Sequence, residues 1–138
     1  MSAVAEVVAA VHESLAPYGT ASGQGDWEAR LSPDRAFTVE AVYEAFLMHY
    51  REPRSFSNEM DPDLRLLAGD SLYALGLERL AEHGDLAAVA ELADLISRCA
   101  QAQAEGRPDS VEALWEASVA TLSRDVRTHL DGKVPADG

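Results

Sequence analysis

The sequence predicts an all-α protein, a bundle of five to six helices. In five segments, apolar residues recur at the i, i+3, i+4 and i+7 spacing of an amphipathic helix. No segment alternates apolar and polar residues with the period of two that is typical of strands. Turns rich in glycine, proline or polar residues separate the segments. We therefore expect one helical domain over residues 1–130, followed by a flexible tail over 131–138.

The first two helices are predicted from their apolar stripes. The first, over residues 2–15, has one face made of Val4, Val7, Val8, Val11 and Leu15. A loop follows whose apolar anchor, Trp27, is expected to pack back onto the core. Thr38 is predicted to be the N-cap of the second helix, which runs to about Tyr50. Its inward stripe consists of Val39, Val42, Tyr43, Phe46, Leu47 and Tyr50.

The third helix, predicted from Pro62 to His83, has apolar side chains on two opposite faces. One face consists of Leu64, Leu67, Ala68, Leu72 and Leu75, and the other of Leu66, Tyr73, Leu77 and Leu80. We therefore predict that it is sandwiched between other helices, one of which can belong to another polypeptide. Gly69 and Gly76 lie nearly on one line along it, and each costs about 1 kcal/mol relative to alanine. Close approach of a neighbouring helix is the simplest compensation.

The last two helices are bounded by capping residues. Gly84 is predicted to end the third helix and Asp85 to cap the fourth, which runs to about Glu105. The inward arc of the fourth helix is predicted to be Leu86, Val89, Leu92, Ala93, Ile96, Cys99 and Ala100. Asp109, with Glu112 three residues later, is a capping-box pattern that predicts the start of the fifth helix.

The charge and cysteine content exclude several function classes. The formal net charge is -13, from 24 acidic and 11 basic residues, so we expect neither nucleic acid nor an anionic membrane as a partner. The single cysteine, Cys99, excludes an intrachain disulfide and fits a reducing compartment. No apolar run approaches the roughly 20 residues that span a bilayer, and the N-terminal segment is a poor signal peptide. We expect a soluble, cytoplasmic protein without a membrane span.

Few residues indicate chemistry by themselves. The sequence contains no phosphate-binding glycine loop, dinucleotide fingerprint, CxxC pair or HExxH motif. The histidines are spread over four predicted helices, so their spacing indicates no metal site: His12, His49, His83 and His129. Cys99 lies on an apolar arc, where an inert buried thiol is expected.

Four polar residues are candidates for contacts. Arg51 and Arg54 flank a proline, and their guanidinium groups suit diphosphate oxygens, although a solvated loop is the commoner arrangement. Asp70 and Gln103 lie on otherwise apolar helix faces. Each needs a partner, either inside the bundle or on another subunit.

The segment from Leu64 to Gly106 resembles the helix pair of all-α trans-prenyl diphosphate synthases. In that family a Leu-x-Gly-Asp helix is followed by a helix that ends near an Ile-x-x-apolar-x-Glu-Gly-Glu pattern. Leu67, Gly69 and Asp70 match the first pattern, together with Leu72 and Ala74. The second matches in outline, with Ile96 in place and Gln-Ala-Gln at 101–103 where Glu-Gly-Glu would stand. The resemblance implies that the bundle is part of an isoprenoid synthase fold.

The departures from that family indicate a non-catalytic chain. Catalytic members carry two DDxxD motifs that hold Mg²⁺, and this sequence contains no Asp-Asp pair at all. Arg51 and Arg54 only faintly match the arginines that follow the first motif. A short chain of this kind resembles the small subunit of two-component hexaprenyl or heptaprenyl diphosphate synthases, which make menaquinone side chains. We therefore expect no catalysis by this chain alone and no cofactor in it, with Mg²⁺ in the catalytic partner.

This resemblance implies a heterodimer in which the small subunit walls part of the chain-elongation tunnel of the large one. Ser71 and Ala74, as small residues, would leave the tunnel open, and Tyr73 would be a wall residue; ordinary bundle packing is the alternative for all three. Two other interpretations stay open. One is a helical homodimer or protein-interaction module with no isoprenoid role. The other, a stand-alone enzyme, is disfavoured because no carboxylates cluster on an inward arc.

Overall fold

The computed structural model describes residues 2–20 and 25–132, with side chains as far as Arg124. These residues contain five α-helices: α1 (Ala3–Ala10), α2 (Pro33–Tyr50), α3 (Pro62–Glu82), α4 (Leu86–Ala104) and α5 (Val111–Gly132). Short 3₁₀ turns lie at Ala16–Tyr18, Glu28–Arg30 and Pro108–Ser110. The described part of the chain contains no strand beyond one isolated bridge between Gly19 and Phe56. The all-α prediction is confirmed.

The central element of the bundle is α2. Every residue from Arg35 to Met48 is buried, because α1, α3 and α4 pack around it. The helix begins at Pro33, whose fixed φ suits a first helical position, after Ser32 in extended conformation. The prediction of Thr38 as N-cap is therefore wrong. Thr38 lies inside the helix, where its hydroxyl donates a hydrogen bond to the carbonyl of Gly76 at 2.7 Å.

The prediction that the third helix is buried on both sides is wrong within this chain. Only one face of α3 is buried, and it consists of Ala68, Gly69, Leu72, Gly76 and Leu80. Leu66 and Leu67 are 53% and 66% exposed. The apolar pattern misplaced the buried face because it gave no weight to glycine, whose missing side chain lets α2 approach most closely.

The boundary between α3 and α4 is as predicted. Gly84 has a φ of 73° and ends α3, and the Asp85 carboxylate accepts a hydrogen bond from the N–H of Ala88 at 3.3 Å. The inward arc of α4 was predicted only in part: Leu92 and Cys99 are buried, and Val89 and Ile96 pack against the core, but Ala93 and Ala100 are exposed. Leu86 is 68% exposed, and the buried residues are Ala88, Leu92, Leu95, Cys99 and Ala102. Alanines occur all around this helix, so apolar spacing alone could not orient it.

The two ends of the chain differ in part from the prediction. α1 ends at Ala10, because Val11 is extended and the N–H of Ser14 then bonds to the ring of His12 in a tight turn. Asp109 lies within the Pro108–Ser110 turn that leads into α5. The predicted flexible tail over 131–138 overlaps the last residues of α5, and 133–138 lie outside the described residues.

Two groups of buried side chains form the core. One lies among α2, α4 and α5 and includes Trp27, which is 5% exposed and packs on the core as predicted. The other lies among α1, α2 and α3 and is centred on Phe37, Met48 and Leu72. Among the helices of the described residues, none combines the length and the apolarity that crossing a bilayer requires.

Candidate functional site

The contact between α2 and α3 depends on the two predicted glycines. A Cβ at Gly69 would overlap the imidazole ring of His49. A Cβ at Gly76 would lie 3.2 Å from Thr38 and 3.3 Å from the Cβ of Ala41. The predicted close approach of a neighbouring helix is confirmed, and that helix is α2. Tight packing on this side fixes which flank of α3 faces away from the core.

A cleft of about 390 Å³ lies where the end of α2 meets the start of α3. Its lining residues are Met48, His49, Tyr50, Arg51, Pro62, Arg65 and Leu66. Arg65 donates hydrogen bonds to the carbonyls of Met48, at 2.9 Å, and of Arg51, so it closes the C-terminal end of α2. The cleft is therefore lined by a fixed arginine, Arg65, and by the exposed Leu66.

The flank of α3 that faces away from α2 is exposed. We call this surface the outer face of α3, and it consists of Asp63, Leu66, Leu67, Asp70, Ser71, Ala74 and Glu78. The Asp70 side chain is 71% exposed, and one of its oxygens lies 3.3 Å from Nε2 of His49. The expectation that Asp70 lies on a mostly buried surface is therefore wrong. Ser71 and Ala74 lie on this same surface, beside Leu67.

Tyr73 lies on a different side of the helix from Ser71 and Ala74. Its ring is half-buried and meets the ring of His49 edge to face, with centroids 5.3 Å apart. Burial raises the pKa of the Tyr73 phenol well above its usual value. The three residues predicted for a tunnel thus do not line one cavity within the described part of this chain. Their role in a tunnel shared with a partner stays a prediction.

Arg54 is part of a buried charge cluster that the sequence analysis missed. We call it the triad, and it consists of Arg54, Glu40 and Glu44. Nε of Arg54 lies 2.8 Å from Glu44, and Nη2 lies 2.6 Å from Glu40. The two glutamate side chains are 0% and 1% exposed. Two glutamates four residues apart in an otherwise apolar helix were the available signal.

The triad joins two loops to α2. The remaining oxygen of Glu40 accepts a hydrogen bond from the N–H of Trp27 at 2.7 Å. The second oxygen of Glu44 accepts from the N–H groups of Arg54 and Ser55, both at 2.9 Å. A carboxylate that accepts several backbone hydrogen bonds acts as a structural anchor. The cluster therefore fixes the loops before α2 and before α3.

The charge balance of the triad is uneven, because two carboxylates share one guanidinium. Burial raises the pKa of Glu40 above its usual value, although Arg54 and the N–H of Trp27 act in the opposite direction. Burial alone would lower the pKa of Arg54, but Glu40 and Glu44 together raise it. Arg54 is thus committed within the protein and is not a solvated loop residue. That Arg54 contacts a diphosphate stays a prediction.

Arg51 has different partners from Arg54. Its guanidinium lies 5.2 Å from the centroid of the Phe46 ring and donates a hydrogen bond to the carbonyl of Pro108 at 3.3 Å. Glu112 lies 3.8 Å away. The two guanidinium groups therefore have different polar partners within this chain.

The remaining candidates, Gln103 and Cys99, both lie on α4. Gln103 is half-buried on α4, and its Oε1 has no hydrogen-bond partner among the described residues. Cys99 is a buried free thiol, as predicted, and burial raises its pKa to about 11. A thiol with that pKa is almost entirely protonated at neutral pH and is a poor nucleophile.

The histidines that the structure describes have separate surroundings, and His49 is the one that lines the cleft. His12 is exposed, and His83 ends α3, where it lies 3.6 Å from Asp34. His129 lies beyond the side chains that the structure describes. In the described part of the chain, no three histidine, cysteine or carboxylate residues group together as metal ligands.

Comparison of the chain with protein-family models, with curated proteins and with solved structures finds no match.

Proposed function

We propose that this chain is the accessory subunit of a heteromeric polyprenyl diphosphate synthase, and that it shapes the elongation tunnel of a separate catalytic subunit. The observation that supports the proposal is the asymmetry of α3. Its inner flank is tightly packed on α2 through Gly69 and Gly76, whereas its outer face presents Leu66 and Leu67 to solvent. Leu66 and Leu67 give this face apolar area that a second polypeptide could cover.

In this proposal the chemistry belongs to the partner. The catalytic subunit carries both Asp-rich motifs and the Mg²⁺ that holds the allylic diphosphate. This chain provides a rigid helical wall, because its own charged groups at Arg54, Glu40 and Glu44 are used to anchor loops. Arg51 likewise donates a hydrogen bond to the carbonyl of Pro108.

The outer face has the side chains that a tunnel wall needs. Ser71 and Ala74 are small and exposed, so they would leave space for an isoprenoid chain between this helix and the partner. Tyr73 lies on a different side of the helix, against His49, so it would be a wall residue only where the tunnel reached that side. The product would be a polyprenyl diphosphate for a menaquinone side chain.

The decisive experiment is co-expression with a catalytic synthase of the same organism that carries both Asp-rich motifs. Isopentenyl diphosphate, an allylic diphosphate and Mg²⁺ are supplied, and product is measured for each chain alone and for the mixture. Activity that depends on the mixture supports the proposal. Equal activity and equal product length from the catalytic chain alone would contradict it.

A substitution on the outer face tests the wall role directly. Ser71→Phe adds a bulky ring at an exposed position, so it should shorten the product of the mixture without unfolding this chain. Ser97→Phe, at an exposed serine on α4, is the matched control and should leave product length unchanged. Identical product lengths from both variants would remove Ser71 from the tunnel wall.

The second candidate function is a homodimeric interaction module without an isoprenoid role. The same exposed leucines, Leu66 and Leu67, favour it, because two copies could cover each other's apolar side chains. Light scattering over a wide range of concentrations tests this alternative. A chain that stays monomeric at high concentration excludes it.

A further inference from the structure

The outer face of α3 carries acidic charge and has no lysine or arginine among its own residues. Asp63, Asp70 and Glu78 are all exposed there. The arginines of α3 are used elsewhere. Arg65 donates to the carbonyls of Met48 and Arg51, and Arg79 lies over the ring of Phe37 at 3.7 Å, near Asp34.

We propose that the outer face binds a helix of a different polypeptide whose apolar stripe is flanked by arginine or lysine. The inference rests on the proposed function for the identity of that partner, but its chemistry follows from the charges of this surface. Asp70 and Glu78 lie on the same strip of the helix as Leu67 and Ala74, so a complementary surface needs basic residues beside its apolar side chains.

The same charges argue against a second copy of this chain as the occupant. In a two-fold dimer a surface meets itself, so the acidic residues of the outer face in one copy would face the same acidic residues in the other. Like charges brought together at an interface are unfavourable, and each chain already has a formal net charge of -13. In a homodimer through this face, the repulsion between acidic residues would oppose the favourable burial of Leu66 and Leu67.

The geometry of α3 defines the spacing of the partner's basic residues. Asp70 and Glu78 are eight residues apart, which is about 12 Å along a helix axis. Leu66 borders the cleft of about 390 Å³, which is open to an apolar side chain of the partner. The partner helix therefore needs one apolar side chain at the cleft and two cations about 12 Å apart beside its stripe.

Charge reversal in the co-expressed complex with the catalytic synthase tests the proposal. Glu78→Lys and Asp70→Lys should each weaken the complex about tenfold, or 1.4 kcal/mol, and added salt should weaken the wild-type complex. Glu13→Lys is the matched control: Glu13 is exposed, lies outside the outer face and undergoes the same change of charge. It should bind like the wild type. Circular dichroism establishes that all variants keep the same helix content.

The possible outcomes separate this inference from the proposed function. If the complex forms and Glu78→Lys and Asp70→Lys bind as Glu13→Lys does, the inference is overturned and the accessory role stands. If no complex forms with the synthase, the accessory role is contradicted, and a peptide probe then decides the inference.

The probe is a labelled helical peptide with leucines along one face and arginines on both flanks, compared with the same peptide carrying glutamates. Fluorescence anisotropy measures binding to the wild type and to the three variants. Preference for the arginine peptide, lost in Glu78→Lys and kept in Glu13→Lys, supports a basic partner. Equal binding of the arginine peptide by these two variants, or equal binding of both peptides, overturns it.

Discussion

Replacing Arg54 with methionine should destabilise the protein strongly, because it removes the only cation of the triad. Methionine keeps an unbranched apolar stem, but the carboxylates of Glu40 and Glu44 would then lie buried one helical turn apart without a counter-charge. Removing one partner of a buried ion pair costs about 3–5 kcal/mol. Since a domain is stable by about 5–15 kcal/mol in total, Arg54→Met should lose a large part of its stability.

The geometry of the triad places the cost near the lower end of that range. The substitution removes two ion pairs, that of Nε with Glu44, at 2.8 Å, and that of Nη2 with Glu40, at 2.6 Å. The hydrogen bonds from the backbone of Trp27 and Ser55 to the two carboxylates remain. The side chain of Arg54 is 22% exposed, so water can enter the vacated space in part. We expect a loss of about 3 kcal/mol at neutral pH.

The stability lost in Arg54→Met should depend on pH. Burial already raises the pKa of Glu40, and Arg54 acts against that rise, so without Arg54 the folded state binds a proton at Glu40 more tightly than the unfolded state does. Stability is then present at low pH and is lost as pH rises through the folded pKa of Glu40. The deficit of Arg54→Met should therefore be largest at neutral pH and smaller in mild acid.

Urea unfolding followed by tryptophan fluorescence measures this effect. Trp27 and Trp115 are both buried, and the backbone N–H of Trp27 donates a hydrogen bond to Glu40 of the triad. Adding Glu40→Gln and Glu44→Gln to Arg54→Met removes the uncompensated charges and should recover most of the loss. A loss below about 1 kcal/mol for Arg54→Met, or no recovery in the triple variant, would refute the reasoning.

Three further predictions concern stability. Burial raises the pKa of Glu40 above 4.5 and disfavours its ionised form, so Glu40→Gln should leave stability at neutral pH unchanged or higher. In the wild type, stability declines as pH rises through that raised pKa. Thermal melts of the variant should show no such decline. The hydrogen bond from Arg35 lowers the pKa of Asp85 below 3.8, and Asp85→Asn weakens that bond. The substitution should cost about 2 kcal/mol at neutral pH, and it should remove the loss of stability that begins in the wild type as pH falls below 3.8. Urea unfolding measures both effects. Gly76→Leu should force α3 away from Thr38 and cost about 2–3 kcal/mol, and an unchanged melting temperature would contradict close packing there.

The ends of α3 and α4 were predictable because local residues determine them. Pro62 fits the first turn of α3, Gly84 adopts the left-handed conformation at its end, and Asp85 caps the next helix. The end of α1 and the start of α2 were missed because several residues there are plausible caps, whereas the start of α1 and the end of α2 at Tyr50 are as predicted. Thr38 is a residue type that favours the N-cap position, but the helix already begins at Pro33, after Ser32.

The candidate site was predictable only in part. Gly69 and Gly76 indicated a close helix contact, because glycine inside a helix is unfavourable unless something compensates for it. Their positions in the sequence did not show that the neighbour is α2. Glu40 and Glu44 were missed as partners of Arg54, because the loop path that brings the arginine back onto α2 depends on tertiary packing.

The amino-acid sequence by itself determined the helical class, the limits of α3 and α4, and the need for close packing at two glycines. Those features depend on residues within one or two turns of each other. Only the tertiary structure decided that α2, and not α3, is surrounded on all sides, and that Leu66 and Leu67 face solvent. The reason is physical: periodicity shows which residues share a face, whereas burial depends on how many neighbouring elements cover that face.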